Sequence, residues 1–263
     1  MAGLLAVALL LAGCAGAPHG EGPWRAAWGG AQLEQAPVAN ASDPWRQPLR
    51  DVSLRQIVRV DAGGPALRVR ISNLFGAEPL TLSAVTVALA EGVTVNAGSL
   101  RPLSFGGLRS VVVPAHAEIW SDALEFAVPR QVDLAVQMHV QAGPVVATVH
   151  PGSRIRSWAV EGNRVGLADW PEAVAQEGWW HLAAIDVRTA KPAPVLVATG
   201  DSITDGYGVP SGSYQRWTDQ LSRRLVAEKR EAVVVNTGIG GSRLLRDGLG
   251  PNLLSRFERD VLA

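Results

Sequence analysis

Hydrophobic and polar residues alternate along most of the chain between Trp24 and Val187. Leu67, Val69 and Ile71 alternate with arginines, and Val85, Val87 and Leu89 with small or polar residues. The clearest run is Val132, Leu134, Val136, Met138 and Val140, with Asp133, Gln137, His139 and Gln141 on the other face. A period of two sends successive side chains to opposite faces of a strand. One buried face and one wet face are the mark of antiparallel sheet, so His139 is expected as a solvated surface residue. Gly63-Gly64-Pro65, Gly76, Gly106-Gly107, Pro129 and Pro151-Gly152 interrupt the runs as turns. No helical period of useful length and no internal repeat occur here. Many short strands at this spacing predict a β-sandwich or jelly roll over residues 21–190.

Lys191-Pro192-Ala193-Pro194 is a stiff, donor-poor junction, and the period changes after it. Val195 to Thr199 reads as a strand buried on both faces. Tyr214, Trp217, Leu221 and Leu225 recur at helical spacing, with Arg223, Arg224, Glu228 and Lys229 elsewhere around the helix. Ala232 to Val235 is a second buried-type strand, and Leu253, Leu254, Phe257 and Val261 begin a second helix. Strand, helix, strand, helix opens a doubly wound parallel sheet. The predicted fold class is thus all-β followed by α/β, with residues 191–263 forming the first β-α-β-α part of a parallel-sheet domain. Two parallel strands alone leave open sheet edges and bare helix faces, since parallel sheets are normally covered on both sides.

Residues 1–20 read as a targeting segment and tether. Leu4 to Leu11 is apolar but too short to span a bilayer, and it ends in Leu11-Ala12-Gly13-Cys14. That ending resembles the lipobox of bacterial lipoproteins, in which the cysteine is lipidated, and Cys14 is the only cysteine. The segment before it lacks Lys and Arg, which leaves an ordinary secretory signal as the other reading. Both readings send the chain out of the cytoplasm, with a lipid on Cys14 as the one membrane attachment.

Lys plus Arg and Asp plus Glu are both 24, for a net charge of zero, and no basic run marks a nucleic-acid footprint. Nine Trp residues stand against two Tyr and four Phe. Indole faces can stack on sugars, but filling a core is their commoner use.

Two loops carry candidate chemistry. In a βαβ unit the strands run the same way, so the loops leaving them emerge at one end, where open α/β folds bind ligands. The first loop is Gly200-Asp201-Ser202-Ile203-Thr204-Asp205-Gly206. The second is Asn236-Thr237-Gly238-Ile239-Gly240-Gly241-Ser242-Arg243. A glycine-rich backbone can turn sharply and point N–H groups at an anion. Other motifs fit poorly: position 243 is Arg where a dinucleotide fingerprint needs Gly or Ala, and the first loop lacks the Lys-Ser/Thr of a phosphate-binding loop. Thr204 stands where a Gly-x-Ser-x-Gly elbow needs its last glycine.

The two loops resemble the first and second sequence blocks of the SGNH/GDSL hydrolases, which are serine esterases and acylhydrolases. The likeness is to the branch with an N-terminal β domain, some members of which deacylate plant polysaccharides. It implies a flavodoxin-like parallel sheet, Ser202 as nucleophile, and the Ser202 and Gly241 amides in the oxyanion hole. Asp201 and Asn236 would brace the loops. No metal or organic cofactor is implied, and the partner is a small-molecule or polysaccharide ester.

The same resemblance sets out what the sequence lacks. The family's Gly-x-Asn-Asp block, which completes the oxyanion hole, and its Asp-x-x-His block, which supplies the base, do not occur after Ser202. No histidine follows His181; the others are His19, His116, His139 and His150, none expected to serve as base. A positioned base contributes ~10²–10⁴ in rate. The expectation is therefore the N-terminal part of an esterase, inactive as these residues alone. A glycan-binding β module with a vestigial α/β region is the alternative. A third reading makes the β domain purely structural.

Overall fold

A computed structural model describes residues 22–35, 44–45 and 48–262. Cys14, His19 and the targeting segment lie outside the described residues.

The run from Val132 to Ala142 forms the centre of an eight-stranded antiparallel sheet, flanked by Arg50–Val60 and Leu80–Glu91. Register follows the alternation: Leu134 stands opposite Val58 and Leu89, and Met138 opposite Leu54 and Val85. A second antiparallel sheet runs Trp24–Gly29, Leu182–Arg188, Gly64–Ser72, Leu124–Val128, with Glu118–Trp120 also on Gly64–Ser72. Both sheets contribute to one core, with Leu134, Val136 and Met138 from the first and Leu67, Val69, Ile71 and Ile185 from the second. Burying each such side chain contributes about 1.5–3 kcal/mol. A small third sheet joins Leu33–Glu34, Thr148–His150 and Trp179–Trp180.

The polar face of Val132–Ala142 is dry except at Gln141. Asp133, Gln137 and His139 are all buried. The segment after Glu161 folds over Gln137, which donates to Leu167 O at 3.0 Å and accepts from Gly166 N at 2.9 Å. Asp133 takes a bidentate pair of bonds from Arg59, at 2.8 and 3.0 Å. His139 is held between Ser83 Oγ at 2.5 Å and Asp51 Oδ1 at 2.9 Å, so the expectation of a solvated His139 fails. Period two identifies a strand's two faces but not what lies over the second one.

Five of the nine Trp residues, Trp28, Trp45, Trp170, Trp179 and Trp180, are buried. Trp24 and Trp120 are capped by the Arg68 guanidinium at 4.8 and 4.2 Å. The indoles are used for packing and cation–π contact.

After Arg188 the pairing becomes parallel. Val195–Ala198 runs beside Val233–Asn236 with Val195 opposite Val233 and Ala198 opposite Asn236. Helix α1 is Ser202–Asp205, α2 is Trp217–Ala227 and α3 is Leu253–Phe257. The α2 helix starts later than its spacing predicted: Tyr214 precedes it, buried with a positive φ of 51° under the Arg59 guanidinium at 3.7 Å. Its buried positions are Thr218 and Ser222, whereas Trp217 is 45% exposed. Short polar side chains face inward because this side abuts polar groups. Asp61 accepts from Ser222 Oγ and, at 2.6 Å, from Val234 N. Arg130 donates to Asp61 O at 2.8 Å and to Arg230 O at 2.8 Å, tying the β region to the chain just before the second parallel strand.

The two-stranded sheet is covered on one side. Val233, Val235 and Ile239 belong to the same core as Trp28. A β-carbon at Gly29 would lie 3.1 Å from Val235 Cγ1, so glycine lets the strands come this close. Val195 and Leu196 on the first parallel strand remain exposed. The expectation of a strand buried on both faces therefore fails at Val195–Ala198, where Val195 and Leu196 have no covering layer among the described residues. Among the described residues, no helix is long and apolar enough to cross a membrane.

Candidate functional site

The chain turns out of Val195–Ala198 through Thr199 and Gly200 into α1. Asp201 caps that single turn, accepting from Ile203 N at 3.0 Å. The Ser202 carbonyl accepts from Gly206 N at 2.9 Å and from Tyr207 N at 2.7 Å. Gly206 closes the turn at φ +110°, a left-handed geometry that β-carbon-bearing residues resist.

The second loop folds directly against this turn. Thr237 N donates to Ala198 O at 2.8 Å and Ile239 N to Gly200 O at 3.1 Å. Asn236 Nδ2 donates to Thr204 O at 2.6 Å and to Thr218 Oγ1 at 3.0 Å, while its Oδ1 accepts from Gly238 N at 2.9 Å. A β-carbon on Gly238 would lie 2.5 Å from Asp205 N, so this glycine permits backbone to meet backbone. Asn236 therefore ties the two loops together, whereas the bond from Asp201 stays within its own loop.

Ser202 and Gly241 line one cleft of about 470 Å³, together with Asp205, Ile239, Gly240 and Leu249. Gly241 has φ +68°, so its peptide orientation depends on glycine. The cleft's other wall is unexpected: Leu33, His150, Pro151, Gly152 and Arg154 come from the β region. Arg154 Nη1 stands 3.7 Å from Glu177 Oε2, and its guanidinium 5.6 Å from the Tyr207 ring.

His150 is buried in that wall. Its Nδ1 donates to Ala31 O at 2.8 Å, and its Nε2 meets Asp205 Oδ1 at 2.9 Å. Its ring stacks on Trp179 at 5.4 Å. With both ring nitrogens engaged, His150 has no free lone pair to take a proton from Ser202. His181 is also buried, Nδ1 on Ser72 O at 2.9 Å, and burial pushes it down to about 4. His116 is exposed and bonds Leu74 O at 3.0 Å. Neither lines the cleft.

Sequence reasoning missed a further anchor. Arg256 on α3 is 1% exposed, while Leu254 on the same helix is 66% exposed, the reverse of the apolar stripe expected there. Arg256 Nη1 donates to Thr237 O at 2.7 Å and Asp260 Oδ2 at 2.8 Å, and Nη2 to Ser242 Oγ at 3.2 Å. It clips both ends of the glycine loop. Among the described residues, no group of three or more His, Cys, Asp or Glu is placed to hold a metal ion.

The cleft thus brings a serine and a glycine loop together at the ends of two parallel strands. Residues 198–263, which contain both loops, match the GDSL-like lipase/acylhydrolase family. No curated protein matches the chain. Among solved structures, a family two carbohydrate esterase from Clostridium thermocellum in complex with cellohexaose is similar at 13% identity. It covers 92% of this chain and 55% of that one, with a TM-score of 0.23. A family two carbohydrate esterase from Cellvibrio japonicus is 14% identical over 85% of this chain and 52% of that one, with a TM-score of 0.19. An acetyl xylan esterase from the rumen bacterium Butyrivibrio proteoclasticus is 12% identical over 72% and 40%, also at 0.19. The chain spans about half the length of the solved structures it matches.

Proposed function

We propose that this chain belongs to an exported serine esterase of the SGNH/GDSL type, with Ser202 as nucleophile. The observation supporting this most directly is that Ser202 and Gly241 line one cleft within the stretch that matches the family. Ser202 Oγ attacks the acyl carbon, and the carbonyl oxygen becomes an anion met by the Ser202 and Gly241 amides. Each such donor is worth ~10²–10³ in rate. A histidine base takes the Ser202 proton and passes it to the leaving alcohol, and water, deprotonated by the same base, then releases the acid and restores the serine. The reaction needs no metal or organic cofactor.

Carbohydrate acetyl esters are the proposed substrates, on the strength of the resemblance to the polysaccharide-deacylating branch. The base and third oxyanion donor belong to the Asp-x-x-His and Gly-x-Asn-Asp blocks, which residues 1–263 do not contain. A polypeptide of these residues alone is expected to retain at most ~10³–10⁴ over the water reaction. Export follows the reading of residues 1–20, with Cys14 as the lipid attachment point. The test is fluorophosphonate labelling of the whole protein: Ser202 is expected to be the labelled residue. Ser202→Ala should abolish ester hydrolysis, and retained activity in that variant would overturn the reading.

A further inference from the structure

The β region does more than flank the cleft. Asp205 is three residues after Ser202, in the same helical turn, and it touches two separate parts of the chain, the glycine loop and the His150–Gly152 segment. Its backbone meets Gly238 of the glycine loop. Its carboxylate meets His150 Nε2 at 2.9 Å. The same carboxylate lies against Gly152, where a β-carbon would fall on Oδ2, so only glycine allows the approach.

Behind Asp205, each support is itself held. His150 is fixed at Nδ1 by Ala31 O at 2.8 Å, in a segment where Gly30 N donates to Ala183 O at 3.0 Å. Its ring stacks on Trp179, whose Nε1 donates to Ile57 O at 3.2 Å in a central strand of the large sheet. His150 and Asp205 are 3% and 5% exposed, so water does not compete for their bond. Because Nδ1 must carry a hydrogen to bond a carbonyl, the Nε2–Oδ1 contact also holds one, on the ring or the carboxyl. The bond is charge-assisted or a carboxyl-to-imidazole bond, and in either form directional.

We propose that His150 and Asp205 are a positioning pair, through which the β region sets the place of Ser202 relative to the Gly241 amide. The proposal rests on the reading of Ser202 as nucleophile. It makes the β region part of the catalytic apparatus without giving His150 a role as base. A displacement of about 1 Å at a reacting group can cost ~10² in rate.

The experiment measures kcat, KM and the fluorophosphonate capture rate per folded molecule of the whole protein, for four variants. His150→Ala is expected to lower kcat and capture about 10²-fold, with KM little changed. His150→Gln, whose Nε2 reaches where the ring Nε2 stood, should recover most of that loss. Asp205→Asn keeps the side-chain shape but weakens the bond, and should resemble His150→Ala. A folded His150→Ala or Asp205→Asn with wild-type kcat and capture would overturn the proposal. So would a His150→Gln no better than His150→Ala. Should His150→Ala fail to fold, Asp205→Asn and His150→Gln decide alone. Ser202→Ala separates the two claims: activity surviving in it defeats the nucleophile reading itself, whereas its loss beside unaffected pair variants defeats the positioning role only.

Discussion

Gly238→Ala tests the meeting of the two loops most directly. The new β-carbon would stand 2.5 Å from Asp205 N, 2.9 Å from Thr204 C and 3.0 Å from Asp205 Cα. All three are backbone atoms, so no side-chain rotation relieves the clash. Ordinary carbon contacts begin near 3.4 Å, and the segments must part by roughly 1 Å. Parting them strains the bonds from Asn236 Nδ2 to Thr204 O at 2.6 Å and from Ile239 N to Gly200 O at 3.1 Å. Overpacking of this kind costs ~1–3 kcal/mol, and a lost hydrogen bond adds about 1. A net loss of about 3 kcal/mol corresponds to a fall in Tm of roughly 6–12 °C for a chain of this size. Differential scanning calorimetry reads the fall. Gly98→Ala serves as control, because its β-carbon would meet only Asn96 Oδ1, at 3.4 Å, on an exposed turn. That variant should stay within about 1 kcal/mol of the parent. A Gly238→Ala protein melting within about 2 °C of the parent would refute the contact and the loop geometry built on it.

His181→Asn should flatten the acid limb of stability. Burial lowers the folded value of His181 to about 4 from the ordinary 6.5, while the bond to Ser72 O opposes that shift. Its stabilising contribution is therefore complete above pH 6.5 and is lost as pH falls through the window to about 4. That loss amounts to about 3 kcal/mol, and Asn keeps both the donor and a side chain tolerant of the φ of 58°. Urea midpoints at pH 7.5 and pH 4.5 should converge in the variant; an unchanged pH dependence would contradict this. Arg256→Ala should cost about 2 kcal/mol by urea unfolding, since it takes a donor from the Thr237 carbonyl and leaves Asp260 to Arg259 alone. An unmoved midpoint would show that the clip is not formed. Asp61→Ala should cost about 2 kcal/mol and speed hydrogen exchange at the Val234 amide, which loses its acceptor. Parent-like exchange at Val234 would refute that assignment.

The period-two runs at Leu67–Ile71 and Val132–Val140 were legible as strands because one face of each is wholly apolar. The switch to a parallel pair after Pro194 was equally legible, through continuous Val195-Leu196-Val197 and Val233-Val234-Val235. What could not be read was the covering of polar faces. Nothing local to Gln137 announces the segment after Glu161 that folds over it. The helices misled for a related reason. Apolar spacing pointed to Leu254 and Trp217, but the inward positions are Arg256, Thr218 and Ser222, where the neighbours are carbonyls and a carboxylate. That Ser202 and Gly241 share a cleft was legible because both stand in loops at the ends of adjacent parallel strands. His150 is 55 residues from Asp205, and only the tertiary fold joins them.

The shared packing of Trp28 with Val233 and Val235 bears on how the chain acquires its shape. The β region is synthesised first and offers Gly29 and Trp28 as a ready-made docking surface. The later strand then docks onto a template instead of finding a partner among parallel strands, a slow search when contacts are distant in sequence. Melting should follow the same logic in reverse. Because Val233, Val235 and Ile239 pack into the same core as Trp28, heat should remove the two regions in one cooperative step, and cleavage in the 189–194 junction should not yield two pieces of independent stability.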